Sequence, residues 1–486
     1  MPISFDGIPA SLRTPGAYIE FNNELAGATV NEYHAVLVAQ RLATGTKAAA
    51  EPVLVTDPDQ AGQYFGNGSL AQKMAARFLA ANTSIPLTVI ALDDNPAGTA
   101  ATGTITVSSA PTAAGTAYIY VGGESVSVGI AADDAVGDVA TNIAAAINAA
   151  GRLPVTASAS AAAVTVTARH KGEVFNGLQL HTSYYNEPLP AGLAFTFANL
   201  SGGAGSPDLT TAIDAMGDTW FNWIGNPYTD TANLSALKTE LDNRWGPTVQ
   251  QGARAFSAVA GSLATAGTFG SAHNSPHLSV LATNDSPTPV YEVAAINAAV
   301  ASANLSIDPA RPLQTLALPG MLAPASAAAT WKREERNILL YDGIATYSVS
   351  ADGTCRIERQ ITTYQTNASN LPDASYLDIN TPETLERLRY EQRVRIAQKY
   401  PRHKLADDGT QYGAGQAIVT PSLIKAELLA LYREFELRGL VEDFDTYKAS
   451  LIVERDSSDR NRINWRDTPN LVNQARVFAG KTQFIL

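Results

Sequence analysis

The pattern of apolar and polar positions predicts a strand, an amphipathic helix and a second strand near the start of the chain. His34–Gln40 and Pro86–Leu92 are short, nearly continuous apolar runs, which is typical of strands that are buried on both faces. Between them, Ser69–Asn82 places its apolar residues at helical spacing, with Ser69 as the N-cap. A strand, a helix and a strand at this spacing predict a parallel βαβ unit.

The same alternation resumes after residue 207 and predicts further strands with helices between or after them. A domain can be inserted into a surface loop without disrupting its host. We therefore expect residues 30–92 and 207–305 to share one sheet. The strand candidates of the second region are Thr219–Pro227, Gly252–Gly261 and His277–Thr283.

The composition of the chain changes between these two regions. Residues 97–205 are dominated by Ala, Gly, Thr and Ser, and short alternating runs there predict β-strands. Asp133–Gly151 carries apolar residues at helical spacing and predicts one helix. We interpret residues 95–206 as a small α+β domain that is inserted into the larger one.

From about residue 327 the pattern predicts long helices and one hairpin. A helix is expected over residues 327–343, followed by a hairpin that turns on Asp352-Gly353. Thr381–Tyr400 and Thr420–Gly439 predict two long helices, because each begins with Thr-Pro, an N-cap followed by proline at the first helical position.

Both ends of the chain combine extended backbone with apolar side chains. Residues 1–22 contain prolines and glycines that disfavour a helix, and the final residues, ARVFAGKTQFIL, predict a β-strand that is apolar on both faces. Such a strand needs cover and an edge to pair with. We predict that the two ends are arms that add strands to the sheets of neighbouring subunits. The residues assigned to these arms are Ile3, Phe5, Ile8, Tyr18, Ile19, Phe21, Val477, Phe478, Phe484, Ile485 and Leu486.

The predicted fold class is a multidomain α/β and α+β chain, in which an α/β core carries an inserted, β-rich domain and a C-terminal α+β domain. The predicted segments are an N-terminal arm (1–22), the core in two parts (23–94 and 207–326), the insert (95–206), the C-terminal domain (327–474) and a C-terminal strand arm (475–486).

Composition and charge exclude several classes of function. The net charge of −12 argues against a general nucleic-acid binder, which would carry a basic surplus. Cys355 is the one cysteine, so no intrachain disulfide is possible, and we predict a small core residue. The N-terminus lacks a signal-peptide pattern, and no run of about 18 apolar residues occurs that would span a membrane. We therefore expect synthesis in a cytoplasm and no insertion into a membrane.

Catalytic motifs are absent from the sequence. It contains no GxxxxGK[ST] phosphate loop, no HExxH zinc motif and no GxSxG nucleophile elbow. His273 and His277 are separated by Pro276 and are not expected to share a helical face as metal ligands. We predict a protein that is not an enzyme and that has no cofactor and no metal site.

Three stretches resemble the contractile-tail sheath proteins of Mu-like phages and prophages. They are ISFDGIPASLRTPGAYIEFNN near the start, NILLYDGIATYSVSADGTCRIERQITTYQTN in the C-terminal half and RVFAGKTQFIL at the end. The resemblance covers nearly the whole chain.

This resemblance implies a structural subunit that assembles with itself as hexameric rings stacked helically around a tail tube. It implies an inner C-terminal domain, outward-projecting inserts and arms that knit the rings together. The sheath would shorten on a signal from the baseplate and drive the tube through the host envelope. The implied partners are the tail tube, baseplate and tail terminator proteins, and the implied location is the virion, after assembly in the host cytoplasm.

Basic residues are concentrated near the end of the chain. Residues 381–486 hold 17 of the 34 lysines and arginines. These residues could form solvated helices of mixed charge, or this end of the chain could face an acidic partner. Taken with the resemblance, the second reading gives the hypothesis that the tube-facing charges include Arg387, Arg389, Arg393, Arg395 and Lys399.

Two other functions stay open on the sequence alone. One is a cell-surface adhesin or glycan-binding protein in which residues 95–206 form the binding module, suggested by their Thr/Ser/Gly-rich strands. It conflicts with the missing export signal and with the arms. The other is a hydrolase built on the α/β core, which conflicts with the missing nucleophile motif.

Overall fold

The structure is a computed structural model that describes residues 33–413 and 415–485. The predicted N-terminal arm, with Ile3, Phe5, Ile8, Tyr18, Ile19 and Phe21, lies outside the described residues, as does Leu486. The described residues belong to one compact unit, Tyr33–Leu486.

The described part of the chain forms strands and α-helices in the following order. The strands are β1 Ala35–Gln40, β2 Pro52–Val55, β3 Leu87–Leu92, β4 Ala100–Ser109, β5 Gly115–Val121, β6 Glu124–Ile130, β7 Val155–Ser160, β8 Ala163–Lys171, β9 Leu180–Thr182, β10 Ala194–Ser201, β11 Trp223–Gly225, β12 Arg254–Val259, β13 Leu278–Ala282, β14 Thr346–Val349, β15 Cys355–Arg359, β16 Lys404–Leu405, β17 Ile418–Val419, β18 Val441–Glu442, β19 Ile452–Arg455, β20 Ile463–Arg466 and β21 Asn470–Leu471. The helices are α1 Pro58–Phe65, α2 Leu70–Ala81, α3 Val136–Ala149, α4 Thr210–Met216, α5 Thr231–Trp245, α6 Leu263–Ser271, α7 Val290–Leu305, α8 Arg333–Tyr341, α9 Asn380–Lys399, α10 Pro421–Leu437 and α11 Phe444–Ser450.

A six-stranded sheet in the order β13-β12-β11-β1-β3-β2 forms the centre of the fold. All neighbouring pairs are parallel except β2–β3, which is antiparallel. Strand β1 pairs with β3 on one side and with β11 on the other, so the predicted βαβ unit and the sharing of one sheet by both regions are confirmed. Strands β1, β3, β12 and β13 are buried along their whole length, because helices cover this sheet.

The chain between β3 and α4 builds two further sheets. One is antiparallel in the order β10-β4-β8-β7, the other has the order β6-β5-β9, and α3 packs against β7. The side chains of β4 and β8 alternate between buried and more exposed, as the sequence predicts. The boundaries of the insert, 95–206, stay a prediction.

Buried polar contacts join this segment to the central sheet. The Leu70 N–H at the start of α2 donates to His170 Nε2 at 3.2 Å, and His170 Nδ1 lies 2.8 Å from Asp94 Oδ1. Burial alone would raise the pKa of Asp94, but the hydrogen bond from His170 holds it below its usual range. The ring of Phe175 contacts that of Tyr291 on α7, so the apolar core is continuous across the junction.

The residues that follow α7 divide between two apolar cores. The hairpin β14–β15 forms around Asp352-Gly353, as predicted, and its inward side chains join the large core. A second cluster gathers Leu388 of α9 with residues of α10, α11 and the strands that follow. Residues 331–379 thus pack on the large core although composition assigned them to the C-terminal domain, and the boundary at 327 stays a prediction.

Two helix starts differ from the sequence prediction. Helix α8 begins at Arg333 rather than at residue 327, because Trp331 is buried in the large core and holds the preceding chain outside the helix. Helix α9 begins at Asn380, so Thr381 is not its N-cap. The buried Asn380 amide instead donates to the carbonyls of Pro309 and Arg311 at 2.8 Å, which fixes the start of the helix.

The predicted N-caps Ser69 and Thr420 differ in their contacts. Ser69 Oγ accepts a hydrogen bond from the Gln72 N–H at 3.1 Å, whereas Thr420 makes no such bond to α10. We expect Ser69→Ala to lower the free energy of unfolding by about 1 kcal/mol, typical of a lost cap. Thr420→Ala is the matched control and should cost less. Urea unfolding of the unassembled chain tests this. Equal decreases in the free energy of unfolding for the two variants would contradict the assignment of Ser69 as a stabilising N-cap.

Candidate assembly surfaces

The last described residues run along the second core and then leave it. Strand β21 pairs with β18, and the Val472 N–H donates to the Leu440 carbonyl at 3.2 Å. Arg476 contacts Asp378, with 2.8 Å between a guanidinium nitrogen and Oδ1. These contacts hold the chain to the body as far as residue 476.

Beyond Arg476 the chain exposes its apolar side chains. The exposed fractions are 87% for Val477, 89% for Phe478, 81% for Phe484 and 99% for Ile485. Residues 472–485 form no strand in the isolated chain, and the predicted strand over 475–486 stays a prediction, because it requires the sheet edge of a neighbouring subunit. A strand exists only with a paired neighbour, and these residues have no such neighbour among the described ones. We refer to residues 477–485 as the tail.

The hairpin β19–β20 is a two-stranded sheet beside the second core. Val453 pairs with Trp465 across the strands, and Val453 and Ile463 pack against the core. Within the described residues each strand pairs on one side only, which leaves its other edge free to accept a strand. Ile452 and Trp465 add exposed apolar surface to this hairpin.

The first basic residues of α9 contact the α/β core, and of the three only Arg393 is also exposed to solvent. Arg387 donates to the Ser306 carbonyl at 2.6 Å, and Arg389 donates to the Trp245 carbonyl at 2.7 Å. The Arg389 guanidinium also lies 4.4 Å from the centre of the Trp245 ring, a cation–π contact. Arg393 Nη1 lies 3.2 Å from the side-chain oxygen of Gln250.

The last two basic residues of this set contact α10. Arg395 and Lys399 pair with Glu427 at 3.1 and 2.7 Å, and Arg395 also pairs with Glu434. The five residues thus have partners on different sides of α9 and do not form one basic face. Sequence reasoning missed these partners because they lie far away along the chain. Contact with a tube stays a prediction, and among the four residues of the set that form ion pairs, Lys399 has the most exposed side chain, at 47%.

A buried arginine and a largely buried glutamate attach the start of α9 to the central sheet. Arg254 on β12 is fully buried, with its Nε 3.4 Å from Glu383 Oε1 and its guanidinium over the Trp245 ring at 4.9 Å. Burial raises the pKa of Glu383 to about 7, although the charge of Arg254 opposes this rise. Removing either partner would leave a buried group unpaired, so this pair fixes the position of α9.

The described residues offer few candidates for catalysis. Burial raises the pKa of the Cys355 thiol to about 11, so the thiol stays protonated at neutral pH and is a poor nucleophile. No group of three or more His, Cys, Asp or Glu side chains is arranged to hold a metal ion in the part of the chain that the structure describes. The described helices also include none that is both long and apolar enough to cross a bilayer.

Two family models match the C-terminal three-fifths of the chain. The phage tail sheath protein central domain matches residues 202–363, and the phage tail sheath C-terminal domain matches residues 372–485.

A relative matches over its full length. The Mu-like prophage FluMu tail sheath protein of Haemophilus influenzae is 42% identical over 489 aligned positions, which cover 100% of both chains.

Two solved structures are also similar to this chain. The sheath tail protein of Desulfitobacterium hafniense is 14% identical with a TM-score of 0.47, and the match covers 94% of this chain and 100% of that one. The anti-feeding prophage helical sheath in its contracted state is 10% identical with a TM-score of 0.47, and covers 97% and 99%.

The buried Glu383 should make stability depend on pH. In the folded chain it stays neutral up to about pH 7, whereas in the unfolded chain it ionises near its ordinary value of 4.5. Its contribution to the free energy of unfolding is therefore present below 4.5 and is lost as the pH rises through 7. The difference in free energy of unfolding between Glu383→Gln and the wild type should therefore shift in favour of the variant as the pH rises from 5 to 7.5, measured by urea unfolding of the unassembled chain.

The control for this prediction is Glu436→Gln. Glu436 forms a surface ion pair with Arg433 on α10. This control should change stability by a similar amount at both pH values. A difference between wild type and Glu383→Gln that is the same at pH 5 and pH 7.5 would contradict the raised pKa.

Proposed function

The chain belongs to the phage tail sheath family, and on that premise we propose that it polymerises as stacked hexameric rings around a tail tube and contracts to drive the tube through a host envelope. The sequence resemblance to this family is confirmed by the full-length relative and the family models. The protein is a structural component of a phage tail and is associated with the virion. Assembly in the host cytoplasm is part of the proposal.

The observation that carries this proposal is the exposed apolar tail. Burying Phe478, Phe484 and Ile485 against a neighbour would contribute about 1.5–3 kcal/mol each, before the cost of ordering the backbone is subtracted. Strand pairing would add backbone hydrogen bonds that the described residues of the isolated chain do not supply. An extended segment with exposed apolar side chains and unpaired backbone groups is suited to strand addition to a second copy of the chain.

The hairpin β19–β20 is the proposed acceptor for the tail. A two-stranded sheet is marginally stable alone, and it gains when further strands extend it. Its free edges and its exposed Ile452 and Trp465 offer both the hydrogen bonds and the apolar contacts that the tail lacks. We propose the same role of strand donor for the N-terminal arm, which lies outside the described residues.

Contraction needs bodies that move as units while their connections persist. Buried pairs stiffen the junction of the insert with the core. Lys73 of α2 pairs with Glu124 of β6 and also lies 3.6 Å from Glu292 of α7. Arg77 pairs with Glu292 at 2.5 Å. We propose that such rigid bodies rotate and repack about flexible arms, and that a kinetic barrier holds the extended sheath until the baseplate signals.

The proposed partners are other copies of the chain, the tail tube protein, the baseplate and the tail terminator. We place the C-terminal domain inside, next to the tube, and the insert outside. Exposed charges contribute about 0–1 kcal/mol each, which suits a tube contact that must be released during contraction. Family membership favours this function over the adhesin or glycan-binding alternative.

The apolar residues of the tail should be needed for polymerisation. We expect the triple variant Phe478→Ser, Phe484→Ser, Ile485→Ser to fold normally but to form no long cylinders, because its tail gains too little from burial. A matched control in the same segment is Lys481→Gln, Thr482→Ala, Gln483→Ala. Electron microscopy and sedimentation compare the two, with circular dichroism to check folding. Cylinders of normal length from the serine variant would refute the role of the tail.

Reversal of the Lys399 charge should weaken co-assembly with the tube protein. Lys399→Glu replaces a half-exposed cation with an anion, and we expect less co-sedimentation at low salt and a smaller difference at high salt. Lys238→Glu is the matched control, since Lys238 is 44% exposed and pairs with Asp242 at 2.6 Å on α5 of the core. Equal effects of the two substitutions would remove Lys399 from the tube-facing set.

A further inference from the structure

The point where the tail leaves the body is marked by a cluster of three charged side chains. Asp378 accepts two hydrogen bonds from Arg359, from Nε at 3.0 Å and from a terminal nitrogen at 2.9 Å. On the same carboxylate, Arg476 forms an ion pair at 2.8 Å. Arg359 ends β15, Asp378 precedes α9, and Arg476 precedes the tail, so three separate segments meet here.

The carboxylate of this cluster is held firmly by the body. The backbone of Asp378 bridges that of Ile361, and the Asp378 carbonyl accepts from the Thr381 N–H at 3.0 Å in the first turn of α9. Its side chain is only 16% exposed, and that of Arg476 only 13%. The attraction within an ion pair so shielded from water is screened less than in a surface pair.

A sharp change in exposure follows Arg476 along the chain. Arg476 is largely buried, and its neighbour Val477 is 87% exposed. The Nε and one terminal nitrogen of Arg476 are buried without an aligned hydrogen bond in the described residues, so the Asp378 contact is electrostatic rather than directional. The contact can hold the arginine in place while the backbone beyond it turns.

We propose that Arg476 and Asp378 form a clamp that fixes the root of the tail on the body, so that the tail pivots at Val477. This inference rests on the proposed function, in which the tail is the arm that enters a neighbouring subunit. A fixed root directs every tail from the same place and reduces the number of positions that strand addition has to search. It also gives a moving body a point through which it can pull on the docked strand.

Trypsin tests the clamp on the unassembled full-length chain, since it cleaves after both Arg476 and Lys481. Lys481 is exposed within the tail. In the wild type we expect cleavage after Lys481 to be about tenfold faster or more than cleavage after the clamped Arg476, because cleavage follows the open population. Equal rates, or faster cleavage after Arg476, would overturn the proposal.

Two variants report on the clamp separately. Asp378→Asn removes the carboxylate and should accelerate cleavage after Arg476 by about tenfold, a typical effect for losing a contact to a charged group, with cleavage after Lys481 as the internal control. Arg476→Lys keeps the Arg359–Asp378 pair and a cleavable residue, and should be cleaved there faster than the wild type. Should Asp378→Asn fail to fold by circular dichroism, the Arg476→Lys result decides. Unchanged cleavage ratios in the folded variants would overturn the clamp.

Polymerisation kinetics test the consequence for assembly. A released root should lengthen the lag before light scattering rises several-fold, without preventing cylinders from forming. An unchanged lag in a variant whose root is released would overturn the directing role. This failure is distinguishable from failure of the proposed function, because the serine variant of the tail tests strand addition itself, whereas trypsin reports the clamp in the unassembled chain.

Discussion

The proposed assembly of this protein depends on one constraint, which is that an extended backbone needs a partner for its donors and acceptors. The tail has apolar side chains that are almost fully exposed and forms no strand within the described chain. Water can satisfy its backbone but not its phenylalanines. A second copy of the chain can satisfy both at once, since an added strand gains hydrogen bonds along its edge and apolar cover on its faces. The same segment is therefore exposed apolar surface in the isolated subunit and would become a buried contact in the proposed polymer.

The body that carries the tail is built in the opposite way. Its central strands are buried along their length, and the polar groups inside it meet specific partners, as Asp94 does with His170 and Asn380 with two carbonyls. Helix α9 spans both cores, since its first turns contact β12 and α5 while its last turns pair with α10. A continuous helix therefore connects the two cores. A stiff body joined to an unpaired tail would concentrate flexibility at the proposed connection between subunits.

Local signals in the sequence predicted most of this body. Continuous apolar runs located β1 and β3, and the Asp352-Gly353 turn located the hairpin β14–β15, because these features depend on neighbours along the chain. The starts of α8 and α9 were missed because tertiary contacts decide them: Trp331 packs into the large core, and Asn380 bonds to a distant loop. The tail was predicted as a strand because its residue types favour one, but propensity supplies no pairing partner.

The charges of α9 show most clearly why sequence alone could not locate a surface. Counting basic residues suggested a basic face, yet Arg389 lies against Trp245 and Arg395 against Glu427. A charge that is neutralised inside its own subunit attracts a partner weakly. A segment rich in lysine and arginine therefore need not have a positive surface potential. What distinguishes the residues near the chain end is instead their exposure: Arg476 is held by Asp378, and the next residue is free. In the proposed assembly, the boundary between held and free chain, rather than the number of charges, would decide where one subunit connects to the next.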